Sequence, residues 1–199
     1  MDNIVHLFST PVQSTNMIVL PEVLQFIKSQ EFTFHGNGWM TNEYFLECPE
    51  MKSIKNSITN EVKSYLYNTC RISDKMIPEL ITSWVNLHKK DDRAQRHIHT
   101  NSVVSGVWYL STTKDSGKLI LYCEKKLFGN ILDFPVEEYN EFNGTSCSFT
   151  PQNGDLILFP SDLPHSVNPN ESDQERFSLA FNYILRGNLR SGANTTVKI

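Results

Sequence analysis

The 199-residue chain lacks most of the features that would place it in a special class. No apolar run approaches the ~20 residues a transmembrane helix needs. The opening MDNIVHLFSTPVQSTN has neither the basic start nor the long apolar stretch of a secretory leader. Its four cysteines (Cys48, Cys70, Cys123 and Cys147) are far apart and form no C-x-x-C pair. They are expected to be reduced, mostly buried thiols of a cytoplasmic protein. Neither sign of charge dominates, since 18 Lys and Arg stand against 22 Asp and Glu for a net charge of −4. That removes any bulk pull towards nucleic acid or an anionic membrane and leaves only a local basic patch open. No segment repeats at the periods of solenoids or propellers, and no low-complexity linker divides the chain. What remains is an ordinary globular composition, 39% hydrophobic and 20% charged, which excludes a disordered chain and suffices for one buried core. Histidine is scarce at six, yet two of the six lie within three residues of each other.

Texture changes along the chain. Pro21 opens a short helix in PEVLQFIKSQ, and a second helix is expected from Pro49 to about Tyr67. There Met51, Ile54, Ile58, Val62 and Leu66 recur at spacings of three and four. HGNGWMTN between them reads as a loop. From about residue 79, apolar runs (ELITSWVNL, VVSGVWYL, KLILYCE, DLILFPS, RFSLAFNYIL) alternate with turn residues. Helices followed by many short strands predict an α+β, mainly β fold, a sandwich or jelly roll supported by N-terminal helices.

Chemistry concentrates in three places. Arg96-His97-Ile98-His99 sets two imidazoles at i and i+2, which an extended strand turns to one side. Neutral imidazole is the commonest metal ligand, although H-x-H alone is more often a pair of surface histidines. His165 follows the apolar strand Asp155–Pro160, at a strand mouth where barrel-like folds build their sites. Eleven positions on, Arg176 opens a strand with one small polar face (Arg176, Ser178, Ala180, Asn182) and one large apolar face (Phe177, Leu179, Phe181, Tyr183). The apolar face suits a core; the other suits a wall for a small anion, with Arg176 clamping a carboxylate and Ser178 donating to it.

This order (H-x-H, a long gap, a histidine, then R-x-S) resembles the 2-oxoglutarate- and Fe(II)-dependent oxygenases, whose fold is a double-stranded β-helix. The closest likeness is to the prolyl-hydroxylase-like branch and its small phage and bacterial members. Arg96–His99 resembles the family's R-H-x-D segment, Val107-Trp108-Tyr109-Leu110 its Y-Y-L strand, and Ser116–Leu121 its G-G-x-L strand. Asp155–Val167 resembles its P-H-x-V segment and Arg176-Phe177-Ser178 its cosubstrate strand; the likeness spans residues 80–186. It implies oxidative decarboxylation of 2-oxoglutarate with O2, coupled to oxidation, by hydroxylation, of an unidentified small molecule or peptide. His97, His99 and His165 would be iron ligands. Arg176 would pair with the distal carboxylate of 2-oxoglutarate, with Tyr109 and Ser178 donating to it and Asn182 as a further pocket residue. Trp84, Trp108 and Phe159 are read as core.

One position departs from the pattern: the family's middle ligand is an aspartate, and here it is His99. Three readings stand: His99 ligates, it points away and leaves the position to another ligand, or catalysis has been lost. Ligation is favoured. Imidazole in place of carboxylate raises the loaded site from about +1 to +2, which dianionic 2-oxoglutarate offsets. Asp91 and Asp92 lie in the charged turn Lys89–Arg93 and are read as solvated.

Two other readings use the same residues. A cupin-type metalloenzyme would share the jelly roll and H-x-H, but it expects a glutamate where Val103 and Val104 stand and gives Arg176 no role. A non-catalytic jelly-roll module is the other. The expected organisation is one domain, with a helical support region over 1–78, the core over 79–186 and a tail over 187–199. Nucleic acid and membrane are not expected as partners, and a homodimer is a candidate assembly. Selectivity is assigned to loops 34–42 and 124–148. His6, His35 and His88 receive no role.

Overall fold

Side-chain alternation along the strands dictates the layering. The computed structural model describes residues 9–123, 134–191 and 195–199. Its elements are β1 (Gln13–Asn16), α1 (Pro21–Lys28), β2 (Thr33–Phe34), β3 (Trp39–Met40), α2 (Lys52–Ser64), β4 (Ile77–His88), β5 (Ala94–His97), β6 (Val104–Ser111), β7 (Leu119–Tyr122), β8 (Ser146–Phe149), β9 (Asp155–Pro160), β10 (His165–Val167), β11 (Arg176–Arg186), β12 (Asn188–Ser191) and β13 (Thr195–Lys198). One sheet has seven strands in the order β1-β9-β6-β11-β4-β3-β2; the other has four, β5-β10-β7-β8. All strand pairs within them are antiparallel. Packed together, they form the expected jelly roll.

In β11, Phe177, Leu179, Phe181 and Tyr183 point away from the smaller sheet. They join Val23 and Ile27 of α1 and Ile54, Ile58 and Val62 of α2 in one apolar cluster. β6 and β9 divide the same way. Trp108, Leu110, Leu156 and Leu158 face the helices, whereas Tyr109, Ile157 and Phe159 pack with Leu119 and Leu121 of the smaller sheet. A period of two thus makes two cores from single strands, one under the helices and one between the sheets. Pro21 opens α1 at its first turn, where the missing N–H costs nothing. Pro49–Met51 form a short 3-10 turn before α2, and a π turn over Tyr65–Thr69 follows it.

Gly106 lets the larger core close tightly against β6. A Cβ there would fall 2.4 Å from the Phe181 ring and 2.6 Å from Leu158 Cδ2. Phe181 is fully buried, so Phe181→Ala is expected to destabilise the fold by about 3–5 kcal/mol. Urea unfolding followed by tryptophan fluorescence measures this.

Four expectations change. The first third is not helices alone, because β1 adds an edge strand along β9 and the β2–β3 hairpin covers the opposite edge against β4. Trp39 and Met40, read as loop, pair with Leu87 and Asn86. Strands this short carry little propensity of their own, and the exposed edge of β4 decides their conformation. The tail forms the β12–β13 hairpin. The cysteines are not mostly buried: Cys48 and Cys70 are half-buried, and Cys123 and Cys147, at the β7–β8 pair, are exposed. His6 and residues 124–133 lie outside the described residues. Among those described, no helix is long and apolar enough to cross a membrane.

Candidate active site

Antiparallel register brings the first two histidines together, for His97 at the end of β5 is the direct partner of His165 at the start of β10. Their ring centroids are 4.2 Å apart. His99 lies beyond the end of β5, so strand alternation does not place it. Its N–H donates to the Ser161 carbonyl at 2.9 Å, which ties this segment to the end of β9. The His99 ring then stands 5.0 Å from each of the other two. One potential ligand atom from each residue lies within 4.8 Å of the others.

The protonation pattern suits a cation. His97 Nδ1 lies 2.6 Å from the Gln95 carbonyl and His165 Nδ1 lies 2.9 Å from the Leu163 carbonyl. A carbonyl can only accept, so each Nδ1 carries a proton, and it is Nε2 that offers the lone pair in the neutral ring. Burial, with the neighbouring imidazoles, lowers the pKa of His99 to about 3. Burial lowers that of His165 to about 4, against the Leu163 hydrogen bond. Both rings are therefore neutral donors near pH 7.

The same cavity, about 400 Å³, holds the predicted anion wall. Arg176, only 2% exposed, is among the largest buried side chains. Nη1 donates to the Ser116 carbonyl at 2.6 Å and Nη2 to His88 Nδ1, while Nε has no partner. Tyr109 and Ser178 are direct partners across β6 and β11, and both line the cavity. The Tyr109 hydroxyl is buried and also unpartnered. Burial pushes its pKa up to about 12, so it remains a neutral donor. Among the described residues, no Asp or Glu lines this cavity. A buried arginine facing no carboxylate, beside an orphaned hydroxyl, fits a small anion bound next to the imidazole cluster.

Asn182 is not in this wall. Its Oδ1 accepts from Ser105 Oγ at 2.7 Å and its Nδ2 donates to Thr82 Oγ1 at 2.9 Å, so its amide is committed behind the cavity. Asn182 stays in register with Thr82 and on the same side of β11 as Ala180, one pair further along the strand than the cavity reaches. Trp84, read as core, lines the cavity with its ring 5.7 Å from that of His99. Phe159 is buried as expected and also packs 4.8 Å from the His165 ring. Asp92 accepts from the Lys89 N–H within the turn, and neither it nor Asp91 reaches the cavity.

Sequence reasoning missed Asn86, His88 and Arg93, which line the cavity, whereas Trp39 lines it from the 34–42 segment to which selectivity was assigned. For β4 a signal was present: Val85 and Leu87 alternate with Trp84, Asn86 and His88, the phase of a strand with one core face and one pocket face. His88, left without a role, is buried directly opposite Arg176. Burial, and then the Arg176 charge, lowers its pKa from 6.5 to about 3. Above pH ~6.5 the ring is neutral both folded and unfolded, and its contribution to stability is complete. As pH falls from there towards 3, the unfolded chain takes up a proton that the folded chain refuses, costing up to about 1.4 kcal/mol per pH unit. His88→Asn should remove this increment, read as the difference between the two proteins' urea midpoints at pH 7 and pH 5.

The sequence profile described as "Putative 2OG-Fe(II) oxygenase" matches residues 82–182, just over half of the chain. No curated protein sequence matches it. Among solved structures it is similar to a Pseudomonas putida prolyl-4-hydroxylase, at 15% identity and TM-score 0.59 over 90% of this chain and 95% of that one. It is also similar to a Trichoplax adhaerens prolyl hydroxylase in complex with a hypoxia inducible factor peptide fragment (16% identity, TM-score 0.61, 87% and 83% covered). A third is HygX from Streptomyces hygroscopicus, with nickel, 2-oxoglutarate and hygromycin B bound (12% identity, TM-score 0.58, 87% and 82% covered). At such identities these structures establish the shared fold.

Proposed function

The chain belongs to the 2-oxoglutarate- and Fe(II)-dependent oxygenase family, and on that premise we propose that His97, His99 and His165 hold the iron while Arg176, Tyr109 and Ser178 hold 2-oxoglutarate. One observation carries the assignment: a single cavity contains both the imidazole cluster and a buried arginine that has no carboxylate partner among the described residues. When bound, the metal and cosubstrate supply the oxidative decarboxylation of 2-oxoglutarate by O2 and the oxidation, here a hydroxylation, of a second substrate.

The chain's own residues do the rest. The Gln95 and Leu163 carbonyls fix two imidazoles in the tautomer that leaves Nε2 free to ligate. Arg176 supplies the charge for the distal carboxylate, and the Tyr109 and Ser178 hydroxyls add donors from one strand pair. Val107, Leu119, Phe159 and Val167 give the cavity an apolar lining beside these polar groups. The buried arginine has no role in a cupin-type reading. The second substrate is taken to be a small molecule or a peptide, since similar structures were solved with hygromycin B and with a peptide fragment. Exposed Cys123 and Cys147 fit a reducing, cytoplasmic setting.

Anaerobic calorimetric titration tests this reading. Fe(II)-loaded protein is expected to bind one equivalent of 2-oxoglutarate and, on admission of air, to form succinate. Iron-loaded protein that does not bind 2-oxoglutarate would overturn it.

A further inference from the structure

The base of the anion wall holds a residue that neither the family pattern nor the sequence motifs assign. His88 ends β4 in direct register with Arg176 of β11, is buried, and lines the cavity. Its carbonyl accepts from Asn170 Nδ2 at 2.9 Å, and Asn170 in turn exchanges backbone hydrogen bonds with the turn after β4 through Asp91 and Asp92. The other edge of the ring lies against Gly38, where a Cβ would stand 2.7 Å from His88 Cδ2 and 2.8 Å from Nε2. Backbone and ring are thus both held, and the ring presents Nδ1 to Arg176 Nη2.

We propose that His88 is a positioning residue for the cosubstrate, a neutral acceptor that fixes the plane of the Arg176 guanidinium without discharging it; the proposal rests on the reading of Arg176 as the 2-oxoglutarate clamp. The chemistry requires such an acceptor. A guanidinium has five N–H donors, and a buried one must satisfy most of them. An aspartate or glutamate in the place of His88 would satisfy two but would form an internal ion pair, in competition with the incoming carboxylate. An imidazole accepting through Nδ1 and the Ser116 carbonyl accepting from Nη1 are both neutral. They hold the guanidinium from two sides without neutralising it, and its charge remains for the ligand. An Nδ1 that accepts also fixes the ring as the Nε2–H tautomer.

Two near-isosteric variants separate charge from shape. His88→Asn keeps a neutral acceptor near the position of Nδ1, and His88→Asp puts a carboxylate there. On Mn(II)-loaded protein, His88→Asn is expected to bind 2-oxoglutarate within about threefold of wild type, and His88→Asp about 10- to 100-fold more weakly, with Mn(II) affinity unchanged in both. Turnover should show the effect in the KM for 2-oxoglutarate and not in kcat. Equal affinity in the two variants would overturn the proposal, because a merely structural histidine has no reason to distinguish amide from carboxylate. A long-range proton–nitrogen spectrum of the metal-free wild type reads the tautomer directly, without any variant having to fold. His88 as Nε2–H at pH 7 supports the proposal, and Nδ1–H or a doubly protonated ring defeats it. Wild-type protein that takes up Mn(II) but no 2-oxoglutarate would instead overturn the functional reading, and the cosubstrate role of His88 with it, while the tautomer would still report whether the ring positions Arg176.

Discussion

Arg176→Ala is expected to raise the dissociation constant for 2-oxoglutarate by at least about 100-fold on metal-loaded protein, with metal uptake unchanged. The size follows from where the charge sits. Arg176 is almost wholly buried, and both of its partners are neutral. Removing it takes away a guanidinium that is hydrogen-bonded to no carboxylate among the described residues, with Asp92 acting on it only at a distance. The bound ligand would then have to keep a desolvated carboxylate facing the Tyr109 and Ser178 hydroxyls alone. Arg176→Lys should recover only part of the affinity, since an ammonium is a point charge that cannot bridge His88, Ser116 and the ligand at once. Calorimetry with Mn(II)-loaded protein measures all three. Unchanged affinity in the alanine variant would remove the anion wall from the assignment.

The second large effect concerns the position at which this chain departs from its family. If His99 completes the metal site, His99→Ala should lower metal affinity by about 100-fold or more, beyond the 10–100-fold usual for outer-shell changes. His99→Asp should restore much of it, because it reinstates a carboxylate between two imidazoles. The pair decides whether His99 ligates or points away, and succinate formation by the wild type decides whether catalysis has been lost. Wild-type metal affinity in the alanine variant would mean that His99 points away from the ion, and the placement of its ring 5.0 Å from both His97 and His165 would then serve packing against Trp84. The aspartate variant carries a further consequence. Its carboxylate lowers the charge of the loaded site from about +2 to +1, so it should hold the metal yet bind dianionic 2-oxoglutarate more weakly than the wild type does. Metal affinity and cosubstrate affinity are expected to move in opposite directions between His99→Ala and His99→Asp, which no uniform loss of folding reproduces.

Much of the site was legible because its members sit at fixed offsets on strands. Arg176 and Ser178 share a face by the period of two, and Phe177, Leu179 and Phe181 declare the opposite face as core by their size alone. The same rule carried too far at Asn182, which keeps the face but lies beyond the end of the cavity, where Ser105 and Thr82 take up the amide. It anticipated that the His99 ring would lie near that of His97, but by the wrong route, since His99 lies past the strand and is placed by a hydrogen bond to Ser161, sixty-two residues away. Trp84 looked like core because a large aromatic in a strand usually is, and only the phase of β4 against β11 turns it to the cavity.

Sequence alone therefore determined the layering and the identity of the candidate ligating groups, because both rest on local periodicity and on which side chains carry lone pairs or charge. The tertiary structure decided what those groups meet. His97 faces His165 through the register of two strands far apart in the chain, and Tyr109 faces Ser178 in the same way. Arg176 is left without a carboxylate and held by a histidine that no motif marks. Such pairings depend on long-range strand register, which no window of sequence encodes, and the electrostatics of a buried charge depend on every neighbour that register brings to it.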